Sequence, residues 1–131
     1  MIMLYETCGC LSCRKAKNWL DENGLDYSTK NIQSCRMTIQ ELKFLFSQCI
    51  DIYDLISKRS TPVKNFQRTH HKELEDISFN ELLQFLQANP TALKRPIITD
   101  GKCLVVGWDE DEITTLLPKY KRTHYPGEIS V

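Results

Sequence analysis

The alternation of apolar and polar positions divides the chain into a short list of elements. Ile2-Met3-Leu4-Tyr5 is a continuous apolar run, which predicts a strand buried on both faces. A helical pattern then runs from about Leu11 or Ser12 to Asn23, with Cys13, Ala16 and Leu20 on one face and Gly24 placed to stop it in a left-handed conformation. Residues 25–32, carrying Leu25, Tyr27 and Ile32, predict a second strand. Together these elements make a β-α-β unit.

The middle of the chain reads as helical. Thr38-Ile39-Gln40-Glu41 has the spacing of a capping box, and Ile39, Leu42, Leu45, Phe46 and Cys49 follow at helical intervals. Ile52, Leu55 and Ile56 predict a short helix beginning near Asp51. Ser60-Thr61-Pro62 interrupts the pattern, and Phe66 is one of few apolar residues before Leu74. Ser78-Phe79-Asn80-Glu81 is a second capping box, opening a helix that carries Leu82, Leu83 and Leu86 and ends at Asn89-Pro90. The strand pattern then returns. Ile97-Ile98-Thr99 and Leu104-Val105-Val106 flank the turn signal Asp100-Gly101. The acidic run Asp109–Glu112 predicts a last helix N-terminus, with Ile113, Leu116 and Leu117 as its apolar face and Pro118 as its stop. The expected organisation is one α/β core from residues 1–37 and 90–118, a helical insert over 38–89, and a mobile polar tail over 119–131.

Composition narrows the class. Among 131 residues, 17 basic and 17 acidic side chains cancel, which argues against a strong nonspecific nucleic-acid binder. Action on DNA is then expected through a protein partner. No apolar run approaches the roughly 20 residues of a membrane span, and no secretory leader pattern is visible. A cytoplasmic protein is expected, with its six cysteines mainly reduced.

The candidate chemistry lies at the first strand–helix junction. Cys10-Leu11-Ser12-Cys13 is a C-x-x-C motif, which in this context reads as a thioredoxin-like redox pair. The helix N-terminus favours a thiolate at Cys10, and Arg14 and Lys15 add positive charge. Cys13 turns inward and Cys10 stays accessible. Cys8 extends the motif to C-x-C-x-x-C, but no matching ligand pair follows for a structural zinc, so neither metal nor cofactor is expected. Cys8 is then an alternative disulfide partner. Cys49 is expected as a small core residue, and the same default covers Cys35 and Cys103. His70-His71 reads as solvated linker.

The order of elements resembles the arsenate reductase-like branch of the thioredoxin superfamily, and within it the Spx-type transcriptional regulators. The resemblance rests on Cys10-Leu11-Ser12-Cys13-Arg14-Lys15-Ala16, Ile56-Ser57-Lys58-Arg59-Ser60, Leu93-Lys94-Arg95-Pro96-Ile97-Ile98 and Val106-Gly107-Trp108-Asp109-Glu110-Asp111-Glu112-Ile113, then Leu117-Pro118. It implies a thioredoxin-like fold with a helical insert. It also implies binding to the C-terminal domain of the RNA polymerase α subunit, with a Cys10–Cys13 disulfide as the switch in thiol-oxidative stress. Proteolytic turnover through the tail, by a protease or adaptor, is a further implication. A loop facing the active cysteine, with a cis proline, would make Arg95 a thiolate- or anion-stabilising residue alongside Arg14. The loop that meets the polymerase places Asp51 where the regulators carry glycine and Phe46 where they often carry a basic residue. These two are the candidate docking positions.

Arsenate reduction is the competing implication, with a general thiol–disulfide oxidoreductase behind it. Cys10, Arg14, Arg59 and Arg95 fit the reductase pattern. Glu6 stands where it expects a histidine, and Val106-Gly107-Trp108 where it expects a third arginine. A carboxylate at Glu6 disfavours both a thiolate and an oxyanion, and Cys13 favours an internal disulfide. The regulator is the stronger implication.

Overall fold

The computed structural model describes residues 2–117. Four strands form one mixed sheet in the order β2-β1-β3-β4. β1 (Ile2–Glu6) lies beside β2 (Tyr27–Asn31) in parallel, from Ile2 opposite Tyr27 to Glu6 opposite Asn31. β3 (Ile97–Thr99) runs antiparallel to β1, and β4 (Leu104–Val106) antiparallel to β3. The parallel pair requires a crossover, and α1 (Leu11–Glu22) supplies it. This is the α/β, thioredoxin-like arrangement that the sequence implies.

The apolar run of β1 is explained by burial on both faces. Ile2 and Leu4 join Ile98 and Val105 under Ala16 and Leu20 of α1, and Ile113 and Leu116 close that layer. Met3, Tyr5 and Ile97 face the opposite way, into a larger core built from the helices of residues 38–89. Those helices are α2 (Ile39–Ser47), α3 (Thr61–His70) and α4 (Phe79–Ala88), joined by 3₁₀ turns at Ile52–Leu55 and Leu74–Asp76. Leu42, Leu45, Leu82, Leu83 and Leu86 are buried there against the sheet. The capping box at Thr38 is formed in full: Glu41 N–H donates to Thr38 Oγ1, and Thr38 N–H to Glu41 Oε1, each at 3.0 Å. Ser78 likewise accepts the N–H of Glu81.

Four expectations need correction. Ser60-Thr61-Pro62 opens a helix instead of interrupting one, because proline in a first turn loses no helical hydrogen bond and its fixed φ suits the position. α3 buries only Val63 fully, which leaves too thin an apolar stripe to recognise in the sequence. The elements at Ile52–Leu55 and Glu112–Leu116 are 3₁₀ turns, too short to close regular α-helical ladders. The second strand is Tyr27–Asn31 within the expected 25–32, since Leu25 packs back toward the α1 layer. Cys35 is exposed and not a core residue, because the chain beyond β2 turns on the Asn31 side chain at the surface.

The Asp100-Gly101 turn is formed as expected, with Asp100 Oδ1 accepting the N–H groups of Lys102 and Cys103. His70 stacks on Phe66 with ring centroids 4.4 Å apart. Pro118, the polar tail over 119–131 and any turnover signal in it lie outside the described residues.

Candidate thiol site and docking loop

Four residues carry the chain from the end of β1 to Cys10. Thr7 is buried, Cys8 is exposed, and Gly9 takes φ +74°, a left-handed conformation that suits glycine. Cys10 returns to extended geometry (φ −83°, ψ 115°) and is the N-cap of α1. Its Sγ accepts the N–H of Cys13 at 3.3 Å, in the manner of a capping side chain. Cys10 is partly accessible, whereas Cys13 is 1% exposed under the sheet. Both are free thiols. Burial pushes the Cys13 thiol up to about 12. The hydrogen bond with Cys10 and the charges of Cys10 and Glu6 add to that, and a backbone hydrogen bond at Thr7 opposes it. One thiol is therefore presented to solution, and its partner is held protonated behind it.

A cavity of ≈ 280 Å³ opens beside Cys10, lined by Glu6, Cys8, Arg14, Lys17, Thr29 and Asn31 among others. Glu6 does not bring a bare charge into it. Lys17 Nζ meets Glu6 Oε1 at 2.7 Å, and that hydrogen bond raises the Lys17 pKa against the opposing effect of burial. The repulsion expected of Glu6 is thus largely compensated by a lysine eleven positions away, a contact made only when α1 folds back over β1. Arg14 also lines the cavity.

Arg95 does not line that cavity. The Arg95–Pro96 bond is cis, as the resemblance implies. The Arg95 guanidinium, however, donates from Nη1 to the Thr91 carbonyl at 3.4 Å, and its buried Nε has no hydrogen-bond partner among the described residues. Arg59 lies elsewhere again, on a cavity of ≈ 340 Å³ shared with Asp51, Asp54, Lys58 and Lys94. The structure therefore does not assemble a ring of arginines on Cys10. Among the described residues no cluster of His, Cys, Asp or Glu is arranged to hold a metal ion.

The docking candidates separate from each other. Phe46 is 4% exposed and packs on Phe79 with centroids 5.9 Å apart, so its side chain belongs to the core and offers no surface to a partner. Asp51 is exposed at φ −123°, ordinary extended backbone, and its Oδ1 accepts the N–H of Tyr53 at 2.9 Å as the cap of the following turn. Nothing in its own φ calls for glycine. Next to it Ile50 stands fully exposed and Phe44 half-exposed. Ile50 escaped the sequence reading because it falls just past the periodic positions of α2, where a single apolar residue carries no pattern. Gln48 anchors the loop to the hairpin, donating to Gly101 O at 2.9 Å and accepting from Thr99 Oγ1 at 3.0 Å.

Comparison with known proteins follows this geometry. The ArsC family profile matches residues 5–116, nearly all of the described chain. The chain belongs to the ArsC family. Within this family it is 42% identical over 124 residues to the global transcriptional regulator Spx 2 of Bacillus anthracis, covering 94% of this chain and 92% of that protein. It is 40% identical over 125 residues to the global transcriptional regulator Spx of Listeria innocua, covering 95% and 92%. An ArsC family related protein from Bacteroides fragilis superposes with a TM-score of 0.76 at 23% identity, covering 88% of this chain and 97% of that one, a likeness of fold. This Spx-like member of the ArsC family has no helix, among its described residues, long and apolar enough to cross a membrane.

Proposed function

We propose that this chain is a cytoplasmic, redox-sensitive transcriptional regulator that binds the C-terminal domain of the RNA polymerase α subunit and is switched by a Cys10–Cys13 disulfide under thiol-oxidative stress. The observation that carries the reading is the pairing of an accessible Cys10 with a buried Cys13 whose backbone N–H already contacts Cys10 Sγ at 3.3 Å. A second thiol so close favours closure within the chain over a lasting mixed disulfide. The similarity to named Spx regulators over more than nine-tenths of the chain supports the same conclusion.

The fold offers a route from the thiols to the docking loop. Tyr5, at the end of β1, donates to Glu41 Oε2 at 3.4 Å, and Lys30 of β2 pairs with Glu41 Oε1 at 2.6 Å. Glu41 also completes the capping box at the start of α2, and Gln48, Ile50 and Asp51 follow its far end. Closing the disulfide moves the start of α1 against β1, and Glu41 passes a shift of β1 to α2. The partner reads the far end.

Titration calorimetry with the isolated α-subunit domain tests this reading. Binding that differs between dithiol and disulfide forms supports it, and no binding in either form removes it. Arsenate reduction remains the rival on one observation, the Arg14 and Lys17 charges beside Cys10. It predicts arsenate-dependent thiol oxidation that is lost in Cys10→Ser and kept in Cys13→Ser. A general thiol–disulfide oxidoreductase predicts turnover of disulfide substrates instead.

A further inference from the structure

A third thiol stands at the mouth of the Cys10 cavity. Cys8 is exposed, lines the same ≈ 280 Å³ space as Cys10, and is separated from it by one residue. That residue is Gly9 at φ +74°, so the chain turns between the two thiols instead of running straight. Cys13 is the opposite case. It is 1% exposed, and a thiol pushed up to about 12 is ionised to only about one part in 10⁵ at neutral pH. Disulfide chemistry runs through the thiolate, so Cys13 is well placed to end in a disulfide and poorly suited to form one quickly.

We infer that Cys8 is the resolving thiol of this site: it forms the first disulfide with Cys10, and exchange then passes that bond to Cys13. The inference rests on the proposed switch and names its order of events. The oxidant is a hydroperoxide. Cys10 thiolate attacks the peroxide oxygen, an S–O bond forms, the O–O bond breaks and an alcohol or water leaves, giving a sulfenic acid. Cys8 thiolate attacks that sulfur, the Cys8–Cys10 bond forms, and the S–O bond breaks with water as the product. Cys13, on losing its proton, attacks Cys10 Sγ and releases Cys8 as a thiol that takes the proton back. In sum, two thiols and one hydroperoxide give one disulfide, one alcohol or water, and one water.

The test is a stoichiometric addition of hydrogen peroxide to the full reduced chain, with acid quenching at successive times, thiol alkylation and disulfide mapping by mass spectrometry. The expected course is Cys8–Cys10 first and Cys10–Cys13 afterwards. Cys8→Ser, at an exposed position, should remove the early disulfide, and over-oxidised Cys10 should accumulate severalfold above the wild type because the sulfenic acid then waits for Cys13. Cys13→Ser should stop at Cys8–Cys10. Two results overturn the role of Cys8 and leave the switch standing: over-oxidised Cys10 no higher in Cys8→Ser than in the wild type, or Cys10–Cys13 forming in the wild type with no Cys8–Cys10 precursor. If Cys10–Cys13 does not form in the wild type at all, the switch and this inference fall together.

Discussion

The thiol end and the proposed docking loop are built on opposite plans. At the thiol end the chemistry is fixed from within: Thr7 and Cys13 are buried, and Cys10 caps α1. Glu6 is met by Lys17 there. At the proposed docking loop Ile50 is fully exposed beside Asp51, and Gln48 ties the root of the loop to the hairpin. The first arrangement preserves a geometry whatever binds. The second leaves apolar surface for something else to cover. A regulator needs both, a protected switch and an exposed reader, and Glu41 lies between them.

Ile50→Asp should separate the two most sharply. Placing a charge on the exposed apolar residue should weaken binding of the α-subunit domain by about 2 kcal/mol, roughly thirtyfold. Stability should stay within about 0.5 kcal/mol, because the site is already in water. Calorimetric titration and thermal melts check the two halves. Equal binding would place the reading surface elsewhere.

Alkaline pH should act on the other region. The Cys13 thiol is raised by burial from 9.0 to about 12, and the Tyr5 hydroxyl from 10.0 to about 12 by burial and by the neighbouring Glu41 charge and hydrogen bond. Below about pH 8 both groups are neutral in folded and unfolded chains, so their contribution is fully present. As the pH climbs toward 12 the unfolded chain ionises first, and that stability is lost. Denaturant melts should show the loss in the dithiol form, and a smaller one in Tyr5→Phe or once Cys13 is in a disulfide. A flat profile over this window would contradict the burial assigned to both.

Glu41→Gln should loosen the connection between the regions. It removes the charge opposite Lys30 and weakens the bonds to Tyr5 and Thr38, costing about 1 kcal/mol in stability. More telling, it should reduce the difference in partner affinity between dithiol and disulfide forms. If that difference is unchanged, the signal does not pass through Glu41. Asp51→Gly should have the smallest effect, a few tenths of a kcal/mol from losing the cap on Tyr53 N–H. Partner affinity should rise if the docking surface requires close backbone approach.

Much of this was legible in the sequence where the signal was local. The C-x-x-C junction, the Thr38 capping box and the Asp100-Gly101 turn each lie within a few residues and formed as expected, and of the second box the Ser78 N-cap bond is formed. What sequence could not supply came from contacts across the fold. Lys17 of α1 neutralises Glu6 of β1 from eleven positions along the chain, and Phe46 falls on the inward face of α2 although the resemblance places it at a docking position. Arg95 is aimed by the loop around it at the Thr91 carbonyl, a direction no motif encodes. α3 is hidden for a different reason: Pro62 has the sequence signature of a breaker but stands in a first turn, where it is tolerated.

The central claim is that a partner reads the redox state of Cys10 and Cys13. Its most direct test is a titration of labelled α-subunit domain with the full chain across a series of thiol–disulfide buffers, with the disulfide fraction mapped in parallel. The account predicts that affinity changes in step with the Cys10–Cys13 disulfide and becomes independent of the buffer in Cys10→Ser. Affinity that stays constant while the disulfide forms would contradict it.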